Sequence, residues 1–109
     1  MHELGVVMAI IDTVVERCEG ARVNRVVLQV GKLSAVQPDA LRFCFDLATE
    51  GSLVEGASLD IVEVPGSGRC RTCATVLALD QPYAQCRCGG SDIEWLSGDE
   101  LRIVEIEVQ

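Results

Sequence analysis

Apolar residues recur every three or four positions in the first part of the chain and alternate with polar residues in its last part. The first pattern runs from Leu4 to Cys18 and predicts an amphipathic helix, which Gly20 ends. Residues 23–33 are rich in valine, with apolar side chains at successive positions, which is typical of a central strand covered on both faces. We therefore expect a helix followed by a buried strand.

A second helix and two further strands are predicted in the same way. Pro38 fits the first position of the helix, and Gly51 follows its apolar stripe. The stripe comprises Leu41, Cys44, Phe45 and Ala48. Residues 59–64 predict the next strand, and residues 101–108 predict a half-exposed last strand in the same sheet. Because a helix joins the first two strands, these strands should run parallel, and both helices can cover one sheet face.

Composition narrows the class of protein. With 109 residues and a mass of 11.7 kDa, the chain has the length of one ordinary domain. A formal net charge of −8 repels phosphate and anionic lipid, so neither a nucleic-acid nor a membrane partner is expected. The longest apolar run, Leu4 to Ile11, is too short to cross a bilayer, and the Met-His-Glu start does not resemble a signal peptide. We expect a cytoplasmic location.

Four of the six cysteines are clustered in two close pairs joined by a short loop. They are Cys70, Cys73, Cys86 and Cys88. This spacing lets four thiolates converge tetrahedrally, and Gly89 and Gly90 permit a tight turn that aims backbone N–H groups at sulfur. Zinc is the natural occupant of such a site. We expect the zinc to be structural and to supply much of the folding energy of residues 69–97, which cannot build a core of their own.

Other chemistries for these cysteines remain alternatives. Iron in a rubredoxin-like site uses similar spacings, and four reduced thiols are the simplest case. Thiol–disulfide exchange is disfavoured because residues 75–79 resemble a strand, and four thiolates leave no open position for a catalytic water. One residue separates Cys86 from Cys88. This short spacing between two ligands of one ion, called here the short bite, should make the metal easier to extract. Cys18 and Cys44 lie on the apolar helix stripes and are expected in the core.

Together these patterns predict an α+β fold, with two helices packed on a small mixed sheet and an inserted zinc-ribbon-like domain. Residues 1–68 would form the main domain, completed by a strand within residues 98–109. Residues 69–97 would form the zinc-binding insert. The segment from Pro65 to Gly68 breaks the strand pattern and is interpreted as the connection that leads into the insert.

The only histidine is His2, so a Ser-His-Asp or Cys-His mechanism would have to act through the second residue, and an enzyme is not expected. A histidine at a chain terminus is usually a solvated side chain. Here the α-amine of Met1, the backbone nitrogen and imidazole of His2, and the amide of Glu3 can form a planar set of nitrogen ligands. Such a set suits Ni(II) or Cu(II) and not zinc. Glu3 adds a carboxylate beside this candidate site.

Several motifs, in order along the whole chain, resemble the HypA/HybF family. They are Met1-His2-Glu3 at the start of a helix, Gly31-Lys32-Leu33-Ser34 with Pro38 and Leu41-Arg42-Phe43, the paired-cysteine insert, and Ser97-Gly98-Asp99-Glu100-Leu101 before an acidic strand. Members of that family are nickel metallochaperones for the maturation of nickel–iron hydrogenases. The sequence departs from the family in its second cysteine pair, which usually has two intervening residues.

The resemblance implies a nickel-binding domain of two helices on a small sheet, with a zinc domain inserted in it. It implies that Ni(II) binds transiently at His2, assisted by Glu3, while Zn(II) is structural. The implied partners are a nickel-handling GTPase and the hydrogenase large subunit. A homodimer and a second role in urease maturation stay open. The competing hypothesis is a zinc-ribbon interaction module in which His2 has no nickel function, and nickel titration separates the two.

Overall fold

The computed structural model describes residues 3–81 and 83–109. In this part of the chain the elements are, in order, α1 (Glu3–Arg17), β1 (Val23–Gly31), α2 (Pro38–Ala48), β2 (Ser58–Val64), β3 (Gly66–Cys70), β4 (Val76–Leu79), β5 (Ile93–Ser97) and β6 (Leu101–Val108). The strands form two three-stranded sheets, ordered β2-β1-β6 and β4-β3-β5. The predicted α+β fold class is confirmed. No helix among the described residues is long and apolar enough to cross a membrane.

The first sheet is mixed, with β1 as its central strand. β1 and β2 start together, where Ser58 Oγ donates to the Asn24 carbonyl at 3.5 Å, and end together, where the Lys32 N–H donates to the Val64 carbonyl at 2.9 Å. These two strands therefore run parallel, as their helical connection predicts. β6 runs antiparallel to β1, since Gln109 at its end donates to the carbonyl of Arg22 just before β1 begins.

Arg25 on β1 links the three strands of this sheet. Its Nε lies 2.5 Å from Asp60 Oδ2 on β2, and its Nη1 lies 2.8 Å from Glu105 Oε2 on β6. The hydrogen bond to Asp60 is the main reason that the pKa of Arg25 is raised. The guanidinium thus compensates carboxylates on both neighbouring strands of an acidic chain.

The two helices contact each other and bury their apolar stripes. The buried residues of α1 include Val7, Ile10, Ile11 and Val14, and those of α2 are Leu41 and Phe45. Cys18, just after α1, is buried as expected. Cys44 is only half-buried, so its predicted place in the core was wrong. The reason is geometric: the buried face of α2 is centred on Leu41 and Phe45, one turn apart, and Cys44 lies on its flank.

The chain divides into two compact units. One consists of residues up to 29, residues 36–62 and residues from 102 onward, and it contains both helices. The other consists of Val30–Ala35 and Glu63–Leu101 and contains β3, β4, β5 and the clustered cysteines.

The segment from Pro65 to Gly68 is not the connection that its composition suggests, because β3 begins at Gly66 and is the central strand of the second sheet. β3 pairs antiparallel with both β4 and β5. Its glycines serve close packing: a Cβ at Gly66 would lie 2.5 Å from the Leu79 carbonyl oxygen, and a Cβ at Gly68 would lie 2.5 Å from Ile93 Cγ2. Glycine here permits close approach of neighbours within a strand.

Candidate metal centre

The first cysteine pair lies on a tight turn at the end of β3. Cys70 is the last residue of that strand, and its N–H donates to the Thr75 carbonyl at 2.9 Å. The Ala74 N–H donates back to the Cys70 carbonyl at 2.7 Å, and Ala74 has a φ of 65°. The turn therefore returns the chain on itself and brings Cys73 beside Cys70.

The second pair lies on a similar turn that two glycines close. The Gly89 N–H donates to the Cys86 carbonyl and the Cys86 N–H donates to the Gly90 carbonyl, both at 2.9 Å. Gly89 has a φ of 92°, which favours glycine, and a Cβ at Gly90 would lie 2.8 Å from Thr72 Oγ1. The Gly90 N–H points at Cys88 Sγ at 3.4 Å, as the sequence predicts for the glycines that follow this cysteine.

The two turns bring four sulfur atoms together. The atoms belong to Cys70, Cys73, Cys86 and Cys88, and all lie within 4.8 Å of one another. Across the two pairs, Cys70 Sγ lies 3.6 Å from Cys88 Sγ, and Cys73 Sγ lies 3.6 Å from Cys86 Sγ. A tetrahedral ion with metal–sulfur distances of about 2.3 Å needs sulfur atoms about 3.8 Å apart. The described geometry therefore fits a tetrathiolate metal site.

The four thiols are electrostatically unequal. Hydrogen bonds from the hydroxyl and backbone N–H of Thr75 lower the pKa of Cys73 to about 6. The Gly90 N–H lowers the pKa of Cys88, but the neighbouring sulfurs of Cys70 and Cys73 outweigh it and raise this pKa to about 12. Four thiolates at these distances repel one another, so a divalent cation is the natural source of compensating charge.

Of the three predicted nickel ligands, only Glu3 lies among the described residues. Met1 and His2 lie outside the described residues, so their predicted role stays a prediction. Glu3 is the first residue of α1 and is only 5% exposed. Its carboxylate oxygen Oε2 accepts a hydrogen bond from the Gln37 backbone N–H at 3.4 Å. Glu3 thus has a contact within the fold that the local sequence pattern does not reveal.

Two of the motifs that carry the family resemblance form one structural contact. The Leu33 N–H donates to the Gly98 carbonyl at 2.7 Å, and the Gly31 N–H donates to the Glu100 carbonyl at 2.7 Å. A Cβ at Gly31 would lie 2.0 Å from the Gly98 carbonyl oxygen, so no larger residue fits at this crossing. These motif residues therefore hold two backbone segments together.

Two residues of the site are missed by the cysteine pattern. Thr75 Oγ1 lies 3.1 Å from Cys73 Sγ, and Arg87 lines an open cavity beside the cluster. Their positions beside the cysteines could have indicated both residues. Thr75 follows Cys73 by two residues, and Arg87 is the single residue between Cys86 and Cys88.

The fold and the cysteine cluster define a small α+β protein with a four-cysteine group that could hold a metal ion. The chain belongs to the HypA family, because the family described as "Hydrogenase/urease nickel incorporation, metallochaperone, hypA" matches residues 1–108. The resemblance drawn from the motifs is confirmed. The family is a metallochaperone family by name, and a role in hydrogenase maturation implies interaction with other maturation proteins.

Individual relatives agree with this assignment over at least 96% of their length. A hydrogenase maturation factor HypA from Nostoc punctiforme is 50% identical over 109 residues, covering 100% of this chain and 96% of the relative. A factor of the same name from Geobacter sulfurreducens is 41% identical over 110 residues, covering 100% of both. The solution structure of the Ni metallochaperone HypA from Helicobacter pylori has a TM-score of 0.70 and 29% identity, covering 99% of this chain and 97% of that one.

Proposed function

We propose that this chain delivers Ni(II) during maturation of nickel–iron hydrogenase in the cytoplasm, and that it binds the ion transiently at His2 with Met1 and Glu3. The observation that carries the proposal is the family match over residues 1–108, which includes the Met1-His2-Glu3 start. The amine, amide and imidazole nitrogens of this start supply the planar nitrogen set that Ni(II) accepts readily.

In this proposal the two metals are handled by different parts of the chain. Residues 1–68, completed by residues 98–109, bind nickel, and residues 69–97 bind a structural zinc ion through Cys70, Cys73, Cys86 and Cys88. The sulfur positions support the zinc assignment, since four thiolates in this geometry fill a zinc coordination sphere. Zinc bound there stabilises the turns and leaves no position for a reacting water.

The proposed partners are a nickel-handling GTPase, which would supply or drive nickel transfer, and the hydrogenase large subunit, which would receive the ion. The names of the relatives support a place in hydrogenase maturation. The family description also names urease, so urease activity belongs in the same test. Hydrogenase and urease activities are measured in cells that carry either the native chain or His2→Ala as their sole copy.

The direct test is metal analysis of the purified chain before and after nickel addition, for the native chain and for His2→Ala. We expect about one zinc ion per chain in both proteins, and bound nickel in the native chain only. Glu16→Ala is the control, because Glu16 is an exposed residue of α1. Unaltered nickel affinity in His2→Ala would overturn the proposal and favour a zinc-ribbon interaction module.

A further inference from the structure

An open cavity of about 680 Å³ lies beside the cysteine cluster. Three of the four clustered cysteines line it, namely Cys73, Cys86 and Cys88, together with apolar side chains and Arg87. The volume falls within the range of small-ligand pockets, about 300–1,000 Å³. None of the lining residues is a carboxylate, although the chain has 17 acidic residues. The cavity thus differs in charge from the rest of this acidic protein.

Arg87 is the cation of this cavity. Residues 69–97 contain three arginines, and two of them are paired: Arg69 lies 3.5 Å from Glu94, and Arg71 lies 3.2 Å from Asp92. No carboxylate among residues 3–81 and 83–109 forms an ion pair with Arg87. Its charge is therefore available to a ligand that enters the cavity.

Sulfur is exposed on the same side of the cluster. Cys70 and Cys86 are buried, whereas Cys73 and Cys88 are exposed and both line the cavity. A ligand that enters would meet these two sulfurs first. The chemistry of the wall therefore combines an unpaired cation with accessible soft ligand atoms, which suits a molecule that carries both a thiol and a carboxylate.

We propose that this cavity binds small anionic thiols and admits them to the four-cysteine metal site, with Arg87 attracting their carboxylates. The inference rests on the proposed function, because it requires a metal at the cluster. Arg87 is needed because a divalent ion with four thiolates carries a net charge of −2, which repels an approaching anion. The metal is thus exchangeable from the cavity side.

The exchange involves no oxidation. Each incoming thiol sulfur replaces one cysteine sulfur as a metal ligand, and the proton that the incoming thiol loses is taken up by the released cysteine. Cys88 is the cysteine released first, because it is exposed and belongs to the pair with the short bite.

The test compares two dithiols that differ in charge, dimercaptosuccinate, which carries carboxylates, and dimercaptopropanol, which is neutral. The rate at which each extracts zinc from the full-length, zinc-loaded chain is followed with a chromogenic zinc indicator. We expect the ratio of the anionic rate to the neutral rate to fall about fivefold in Arg87→Gln, as for loss of one attractive charge at close range in water. Arg87→Met is a second uncharged variant, and Arg87→Lys should keep the native ratio.

Arg71→Gln is the matched control, because Arg71 also follows a buried cysteine but pairs with Asp92. Its ratio should equal that of the native chain. An unchanged ratio in both uncharged Arg87 variants, or an equal fall in Arg71→Gln, would overturn the inference and leave the proposed function intact. A native chain that contains no zinc would overturn the zinc assignment and this inference with it.

Discussion

The carboxylate of Glu3 accepts a hydrogen bond from the backbone N–H of Gln37, with 3.4 Å between Oε2 and N. Gln37 is the N-cap residue of α2, and its own side chain makes no capping hydrogen bond. The buried carboxylate from α1 therefore places negative charge at the N-terminus of α2, where the helix dipole favours it. Glu3, which the sequence marks as a candidate beside the nickel site, also joins the two helices.

Replacing Glu3 tests this contact. Glu3→Ala should lower the free energy of unfolding by about 1–2 kcal/mol, because it leaves the Gln37 N–H without its acceptor. Glu3→Gln retains an acceptor oxygen and should lose less. The measurement is urea denaturation followed by far-UV circular dichroism, with Glu16→Ala as the exposed control on the same helix. Equal stabilities for Glu3→Ala and Glu16→Ala would show that the contact contributes nothing.

Nickel binding separates the two roles of Glu3. Because backbone nitrogens do the ligating in the proposed site, Glu3→Gln should weaken metal transfer or partner docking more than nickel binding itself. The check is nickel titration of Glu3→Gln beside a transfer assay. A loss of nickel affinity as large as that of His2→Ala would make the carboxylate a ligand.

The cysteine cluster should be required for the stability of residues 69–97 and not for the folding of the two helices. Cys73→Ser removes one of the four proposed metal ligands and should increase hydrogen exchange in residues 69–97 while the helical signal persists. Cys44→Ser is the matched control, because Cys44 is half-buried on α2 and lies outside the cluster. A Cys73→Ser protein that retains its metal at native affinity would contradict the tetrathiolate site.

Periodicity predicts the elements whose burial repeats regularly. The apolar stripe from Leu41 to Ala48 predicts α2. The valines that surround Val27 predict a strand covered on both faces, which is confirmed by the 7% exposure of Val27. Periodicity does not predict β3. Gly66 and Gly68 are typical of a turn, although close packing with neighbouring residues requires glycine at these positions of the strand.

In the candidate site, too, the sequence predicts the local contacts and not the long-range ones. Cysteine spacing predicts the convergence of four sulfurs because each pair is local, and local turns bring its members together. The Glu3 contact joins positions 34 residues apart, and no pattern within the first turn of α1 can indicate it. Similarly, the free charge of Arg87 depends on where the carboxylates lie, which only the fold decides.

Two glycine substitutions should change stability in opposite directions. Gly68→Ala would place a Cβ 2.5 Å from Ile93 Cγ2 and 3.0 Å from the Glu94 carbonyl oxygen, and overpacking of this kind costs about 1–3 kcal/mol. Gly5→Ala on α1 meets nothing within 4 Å and should stabilise the helix by about 0.5–1 kcal/mol. Thermal unfolding of the two variants checks both signs, and a Gly68→Ala protein as stable as the native chain would refute the close packing of β3.

The final prediction concerns the α-amine in the proposed nickel site. If the amine of Met1 and the following amide nitrogens chelate nickel with His2, then residues added before Met1 should weaken nickel binding markedly at neutral pH. The amine becomes an amide, whose proton is far less acidic. Nickel affinity of the native chain should fall as the pH is lowered, because the imidazole and the amine must release protons before they bind nickel.

Isothermal titration with nickel at several pH values, on chains with and without the extension, measures both effects. A second variant carries one residue inserted between Met1 and His2. It keeps the amine and the histidine but changes the size of the chelate rings. It should weaken binding as well, because the planar set depends on the position of His2. An extended chain that binds nickel as tightly as the native chain, with the same pH profile, would show that the amine is not a ligand and that His2 recruits its other ligands elsewhere.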